Sequence, residues 1–283
     1  MTEARAERPG RYSLDGGDQD LRRLARISEL SANALRAALR RVQIRGGWKA
    51  IECGCGPIGG LAVLGEMVGP SGRVVGVDFN ESAVLRARSA VAALGLDNVE
   101  VVAGDVNDLL DLAALGGPFD LAYTRCFLMH QRDPAETLGR IAELVRPGGW
   151  IVLQEPLRTP APRSHPHLDA LGDYWELLHT LLQRAGVPQC SVEELPHLAA
   201  AAGLEVHEAD GYFSNMAPDE GFELHAGTLT AIRESVTQSG IATAEQLDEL
   251  LTALRATNHA QYQWVSTPFF FDLVLRKPSQ AND

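Results

Sequence analysis

The stretch "AIECGCGPIGGL", residues 50–61, ends an apolar run in an acid and then breaks into glycines. Such a break lets the backbone turn sharply at the end of a strand and approach a ligand at the N-terminus of the next helix. Gly54, Gly56 and Gly59 also satisfy G-x-G-x-x-G, the dinucleotide fingerprint, so the glycines by themselves leave the ligand open. Glu52 narrows the choice. Expected beside the ligand, it would repel a pyrophosphate and attract a cationic molecule. A phosphate-cradling P-loop is excluded, because no Gly-Lys-Ser/Thr follows at the required spacing.

Outward from this loop, strand-like apolar runs alternate with helical patterns, the alternation of a mostly parallel α/β sheet. The runs are "KAIEC" (49–53), "RVVGVD" (73–78), "NVEVVA" (98–103), "FDLAYT" (119–124), "GWIVLQE" (149–155), "LEVHEADGYF" (204–213) and "FFFDLVLRKP" (269–278). "GGLAVLGEMV", "ESAVLRARSAVAAL" and "PAETLGRIAELV" between them are apolar at helical spacing. The expected fold class is therefore α/β, a wound, mostly parallel sheet of seven strands. Asp78 ends the second run at about the separation that places a carboxylate on ribose hydroxyls, and "AGDV" brings Asp105 to the same sheet edge.

Composition limits the ligand. A chain of 283 residues with 45% hydrophobic content buries a substantial core, and a net charge of -12 without a Lys/Arg cluster disfavours nucleic acid and anionic membrane as partners. A small-molecule substrate is expected. Cys53, Cys55, Cys126 and Cys190 form no secreted disulfide framework, and "ECGC" lacks a second metal-ligand pair, so reduced thiols and no metal site are expected. The N-terminal stretch has acids among its bases and no apolar core, and no apolar run is long enough to span a membrane. A cytoplasmic protein is the expectation.

The ordered set "IECGCGP", "VVGVD", "AGDV", "FDLAYTRCFLMH" and "LVRPGGWIVLQE" resembles the class I S-adenosylmethionine-dependent methyltransferases over roughly residues 48–155. The resemblance implies the Rossmann-like methyltransferase fold, S-adenosylmethionine as cofactor and S-adenosylhomocysteine as product. It implies that Glu52, Gly54 and Gly56 frame the methionine portion, that Asp78 accepts both ribose hydroxyls and that Phe79 packs on the adenine. Asp105 would accept from the adenine amino group, the Val106 backbone would read the ring edge, and Arg125 and Cys126 would begin the floor under the methionine. The chain departs from the family's acid-x-Gly-x-Gly-x-Gly at Ile58, its glycine pair falling at 59 and 60.

Each candidate has a plainer alternative. Asp78 and Asp105 would also serve as caps of helices starting at 81 and near 107. His130, where the fourth strand opens into a helix, is a candidate general base with an ordinary imidazole pKa, or a packing residue. Glu155 is either a substrate-orienting carboxylate or the lead-in to the turn at Pro156. "HPHLD" (165–169) reads as a solvated loop more readily than as a metal site.

Residues 1–45 read as an N-terminal helical cap that brings Tyr12 toward the methionine end or forms a homodimer contact. Residues 46–283 form the cofactor-binding domain, with helical lid insertions at about 156–195 and 213–264. Within the first insertion, Leu171, Tyr174 or Trp175, Leu178 and Leu182 make one apolar helix face. The expected reaction is in-line methyl transfer to an oxygen, nitrogen or carbon of a small, secondary-metabolite-like molecule, driven chiefly by proximity and alignment. Two alternatives share parts of this pattern: a cofactor-bound site that templates a cyclisation, and an NAD-dependent oxidoreductase.

Overall fold

The computed structural model describes residues 17–57, 59–108, 113–187, 194–255 and 259–279, with side chains from Arg23 onward. In chain order the elements are α1 (Gly17–Arg41), β1 (Lys49–Cys53), α2 (Leu61–Val68), β2 (Arg73–Asp78), α3 (Glu81–Ala93), β3 (Val99–Ala103), β4 (Phe119–Arg125), α4 (Pro134–Leu144) and β5 (Val145–Pro156). There follow β6 (Ser164–His165), α5 (Asp169–Arg184), α6 (Glu194–Ala201), β7 (Glu205–Tyr212), β8 (Asn215–Met216), α7 (Pro218–Gln238), α8 (Ala244–Arg255), β9 (Trp264–Ser266) and β10 (Phe270–Arg276). All seven sequence-predicted strands pair in one sheet, in the order β3-β2-β1-β4-β5-β10-β7.

β1 to β5 run parallel, and β10 is antiparallel to both β5 and β7. The central strands read as unbroken apolar runs because both faces are covered, and β1, β2 and β4 are buried along nearly their whole length. The strand order reverses between β1 and its two neighbours, β2 and β4. Loops leaving the carboxyl ends of the strands diverge there and open a crevice.

Local chemistry sets the helix starts. Asn80, not Asp78, caps α3, its side chain accepting from the N–H groups of Ser82 at 3.0 Å and Ala83 at 3.2 Å. At α4, Asp133 accepts from Glu136 N–H at 2.8 Å and Pro134 fills the first turn, where its missing donor costs nothing. Residues 106–108 after Asp105 form a turn and bend rather than a helix start, and the stretch that follows lies outside the described residues.

The two faces of the sheet carry separate apolar clusters, one around Phe119, Ile141 and Leu273, the other around Leu39, Leu64 and Tyr123. A third cluster lies off the sheet, where α5, α7 and α8 pack on one another around Tyr174, Phe222 and Leu254. Short strands β6, β9 and β8 tie its ends together in a three-stranded sheet that sequence periodicity did not reveal, since two or three residues carry no alternation. α6 packs instead on α4, β7 and β10, so the chain from Glu194 onward belongs to the wound layer. No helix among the described residues is long and apolar enough to cross a membrane.

Candidate functional site

A cavity of about 1240 Å³ opens at the carboxyl edge of β1 to β4, roofed by α1, α5 and α7. Gly54, Gly56, Asp78, Phe79, Asp105, Val106, Arg125, Cys126 and His130 all line it. Tyr12 lies outside the described residues. Two other expected site residues, Glu52 and Glu155, do not line the cavity.

Gly56 sits at φ +56°, in the left-handed region that favours glycine, and a Cβ there would meet nothing within 4 Å. The loop thus leaves open space above its backbone. Asp78 holds the loop shut from the neighbouring strand: one carboxylate oxygen accepts from Gly56 N–H at 2.8 Å and the other from Asn80 N–H at 2.9 Å. Burial raises its pKa, against those two backbone donors, which lower it. Each oxygen keeps lone-pair capacity for a further donor from the cavity. On the next strand's loop, Asp105 accepts from Asn107 N–H at 2.9 Å and faces the same space. Phe79 is 52% exposed at the rim, an unusual place for a bare aromatic ring.

Glu52, expected beside the ligand, lies behind the loop and off the cavity lining. Fully buried behind the loop, it accepts from Gly60 N–H with both oxygens, at 2.7 and 2.9 Å. A Cβ at Gly59 would strike its carboxylate, and one at Gly60 would strike the Tyr123 ring and a Leu35 methyl, so neither position has room for a side chain. Burial pushes the Glu52 carboxyl up to about 7, with Gly60 N–H and Arg125 working against it. Glu52 braces the loop.

Glu155 also lies off the cavity lining. Its carboxylate accepts from the backbone N–H groups of Phe127 and Leu128, both at 3.1 Å, and of Met129 at 3.3 Å. It thereby caps the helical turn Leu128–His130, which aims the cavity-facing residues. Burial pushes its carboxyl up to about 7 as well. Cys126, at φ +48°, makes the tight turn that leads from β4 into this segment.

His130 lines the cavity, but not as an ordinary imidazole. Burial, then the charge of Arg23 and the neighbouring His179, lower its pKa to about 4. The "HPHLD" stretch stays apart: His165 pairs with Trp264 in the small sheet, and the exposed His167 meets Asp169 at 3.0 Å.

The cavity's other half escaped motif reading. Leu24 and Ile27 of α1, Trp175 and Leu178 of α5, and Leu224 of α7 give it an apolar wall. Leu24 and Ile27 of α1 and the α5 stripe are legible through their helical spacing, whereas Leu224 of α7 is not singled out by it. Tyr174 and His225 meet there, although 51 residues separate them in the chain.

A family model described as a methyltransferase domain matches residues 44–203. Among curated relatives, nocamycin O-methyltransferase of Saccharothrix syringae is 31% identical over 194 residues, covering 67% of this chain and 66% of that protein. Demethylmenaquinone methyltransferase of Bacillus cytotoxicus is 30% identical over 117 residues, 41% of this chain and 48% of the relative. The chain spans about half the length of the first curated relatives it matches, 46% to 49%. Among solved structures, the [4+2]-cyclase SpnF aligns with a TM-score of 0.52 at 16% identity, over 88% of this chain and 82% of that one, a likeness of fold alone. With more than half of its length under the family model and its strands wound in the order the motifs demand, the chain belongs to the class I S-adenosylmethionine-dependent methyltransferase family.

Proposed function

We propose that this protein transfers the methyl group of S-adenosylmethionine to an oxygen, nitrogen or carbon atom of an apolar small molecule. One observation carries the reading: a single cavity joins a glycine-and-carboxylate end at β1 to β3 with an apolar wall built by α1, α5 and α7. The open space over Gly56 and the two carboxylates facing it fit an adenosyl group with ribose hydroxyls and an exocyclic amine to donate. The names of the two methyltransferase relatives, which refer to small molecules, support the same substrate class. A net charge of -12 supports it further against nucleic acid. Free thiols at Cys53, Cys55 and Cys126 suit a reducing, cytoplasmic setting.

When bound, S-adenosylmethionine supplies an electrophilic methyl group. Asp78 would hold the ribose hydroxyls, Asp105 and the Val106 backbone the adenine edge, and Phe79 the adenine face. Arg125 and Cys126 would floor the methionine end, while Glu52 and Glu155 act behind them by fixing the loops. The helical wall excludes water and aligns the acceptor, the chief source of acceleration for a displacement of this kind. His130, neutral at physiological pH, would face the acceptor as a hydrogen-bond acceptor.

Two measurements test the reading. Asp78→Ala should weaken S-adenosylhomocysteine binding by about 2 kcal/mol, roughly thirtyfold, since two hydroxyls lose a charged acceptor. Unchanged affinity with a lowered melting temperature would instead make Asp78 a loop brace only. Incubation with S-adenosylmethionine and a panel of apolar phenols, alcohols and amines should yield S-adenosylhomocysteine by mass spectrometry. Conversion of an acceptor without that product would mark a templated reaction such as a cyclisation.

A further inference from the structure

The helical wall carries polar groups whose hydrogens are already committed, and this limits what the cavity accepts. Tyr174 of α5 and His225 of α7 both line the cavity and are each 1% exposed. Tyr174 Oη lies 2.6 Å from His225 Nδ1, and His225 Nε2 lies 2.8 Å from the carbonyl oxygen of Ser266. A carbonyl only accepts, so the ring hydrogen is on Nε2. Burial lowers the imidazole's pKa to about 4, which leaves Nδ1 as a bare lone pair at neutral pH. The Tyr174 hydroxyl therefore donates to Nδ1, and its oxygen has only lone pairs to offer anything else.

The same holds for neighbouring hydroxyls. Thr228, one turn along α7 from His225, donates to the Leu224 carbonyl at 3.0 Å, and Thr267 donates to the Pro268 carbonyl at 2.9 Å; both line the cavity. Trp175 turns its indole N–H away to the Arg158 carbonyl at 2.8 Å, so its ring meets the cavity as hydrocarbon. Arg23 of α1, whose charge reaches both Tyr174 and His130, runs beside Gly227 of α7. The wall made by α5 and α7 presents apolar surface interrupted by lone pairs.

We infer that Tyr174, made an obligate hydrogen-bond acceptor by His225, is a specificity-determining residue that selects substrates presenting an O–H or N–H group on an apolar body. The inference rests on reading the cavity as a methyl-transfer site, and it narrows that reading. Where the methyl group goes onto a hydroxyl oxygen, the ether formed has lost the donor, so the wall also discriminates against that product. A site that leaves a buried lone pair unpaired rejects the analogue lacking the donor more strongly than shape alone would.

The probes are 2-naphthol and 2-methoxynaphthalene, titrated calorimetrically into the full chain with S-adenosylhomocysteine present. The wild type should bind the naphthol at least about tenfold more tightly than its ether. Tyr174→Phe should bring the ratio close to one by weakening the naphthol, with S-adenosylhomocysteine affinity unchanged. His225→Leu, which frees the Tyr174 hydroxyl to donate, should strengthen binding of the ether. Nitrogen-15 spectra of wild-type His225 should show the Nε2-protonated neutral tautomer at neutral pH, a readout independent of any variant's folding. An Nδ1-protonated ring, equal binding of the two probes, binding of neither, or a preference that survives Tyr174→Phe overturns the inference while the cofactor reading stands. Failure of the wild type to bind S-adenosylhomocysteine overturns both.

Discussion

Glu52 and Asp78 look alike in the sequence, each an acid at the carboxyl end of a strand, yet the fold turns one behind the loop and the other toward the cavity. Glu52, on which the expectation of a cationic ligand rests, faces Gly60 N–H, while Asp78 lines the site. Position along a strand is legible from spacing, but the side to which a carboxylate bends depends on which backbone donors the next loop brings near. His130 shows the same division: it lies at the cavity, as its place after the fourth strand leads one to expect, but its titration is set by what packs around it. With its pKa lowered to about 4 by burial, Arg23 and His179, the ring is neutral from about pH 6 upward. Turnover at saturating acceptor should therefore show no acid limb from His130 near its unperturbed value. His130→Ala should lower turnover about tenfold or more without altering the profile between about pH 6 and 8. An acid limb centred near 6.5 in the wild type that vanishes in the variant would show an imidazole open to water.

The glycine loop is the element on which both fold and site depend, and its glycines do different work. At Gly59 the Glu52 carboxylate occupies the space a Cβ would need, whereas at Gly56 that space is open and faces the cavity. Gly59→Ala should act on stability, costing about 2 kcal/mol or more as the Glu52–Gly60 contact is forced apart, read as a lowered denaturation midpoint. Gly56→Ala should cost about 1 kcal/mol in stability for a left-handed alanine and weaken S-adenosylhomocysteine binding about tenfold or more. The opposite assignment of the two effects would mean that the loop presents its other side to the ligand.

At the scale of the whole molecule, the sheet and the helical roof have separate cores, the roof's being centred on α5, α7 and α8. Contiguous units with their own apolar clusters open separately in native-state exchange. Phe222 is fully buried in the roof cluster, so Phe222→Ala should cost about 3 to 5 kcal/mol there. Hydrogen exchange should then accelerate across α5, α7 and α8 and stay slow in β1, β2 and β4. Uniform acceleration over both units would show a single cooperative core.

By itself the sequence determined the wound sheet, because strand runs buried on both faces and glycine-broken strand ends are local patterns that one alternation can satisfy. It also placed Asp78, Asp105 and His130 at the sheet's carboxyl edge, since strand order and motif spacing put them there whatever the roof does. Only the tertiary structure decided that Glu52 and Glu155 hold backbone donors behind the cavity, and that Tyr174 meets His225. Those outcomes depend on contacts between elements distant in the chain, where desolvation and the need of every buried donor and acceptor for a partner, and not local periodicity, select the pairing.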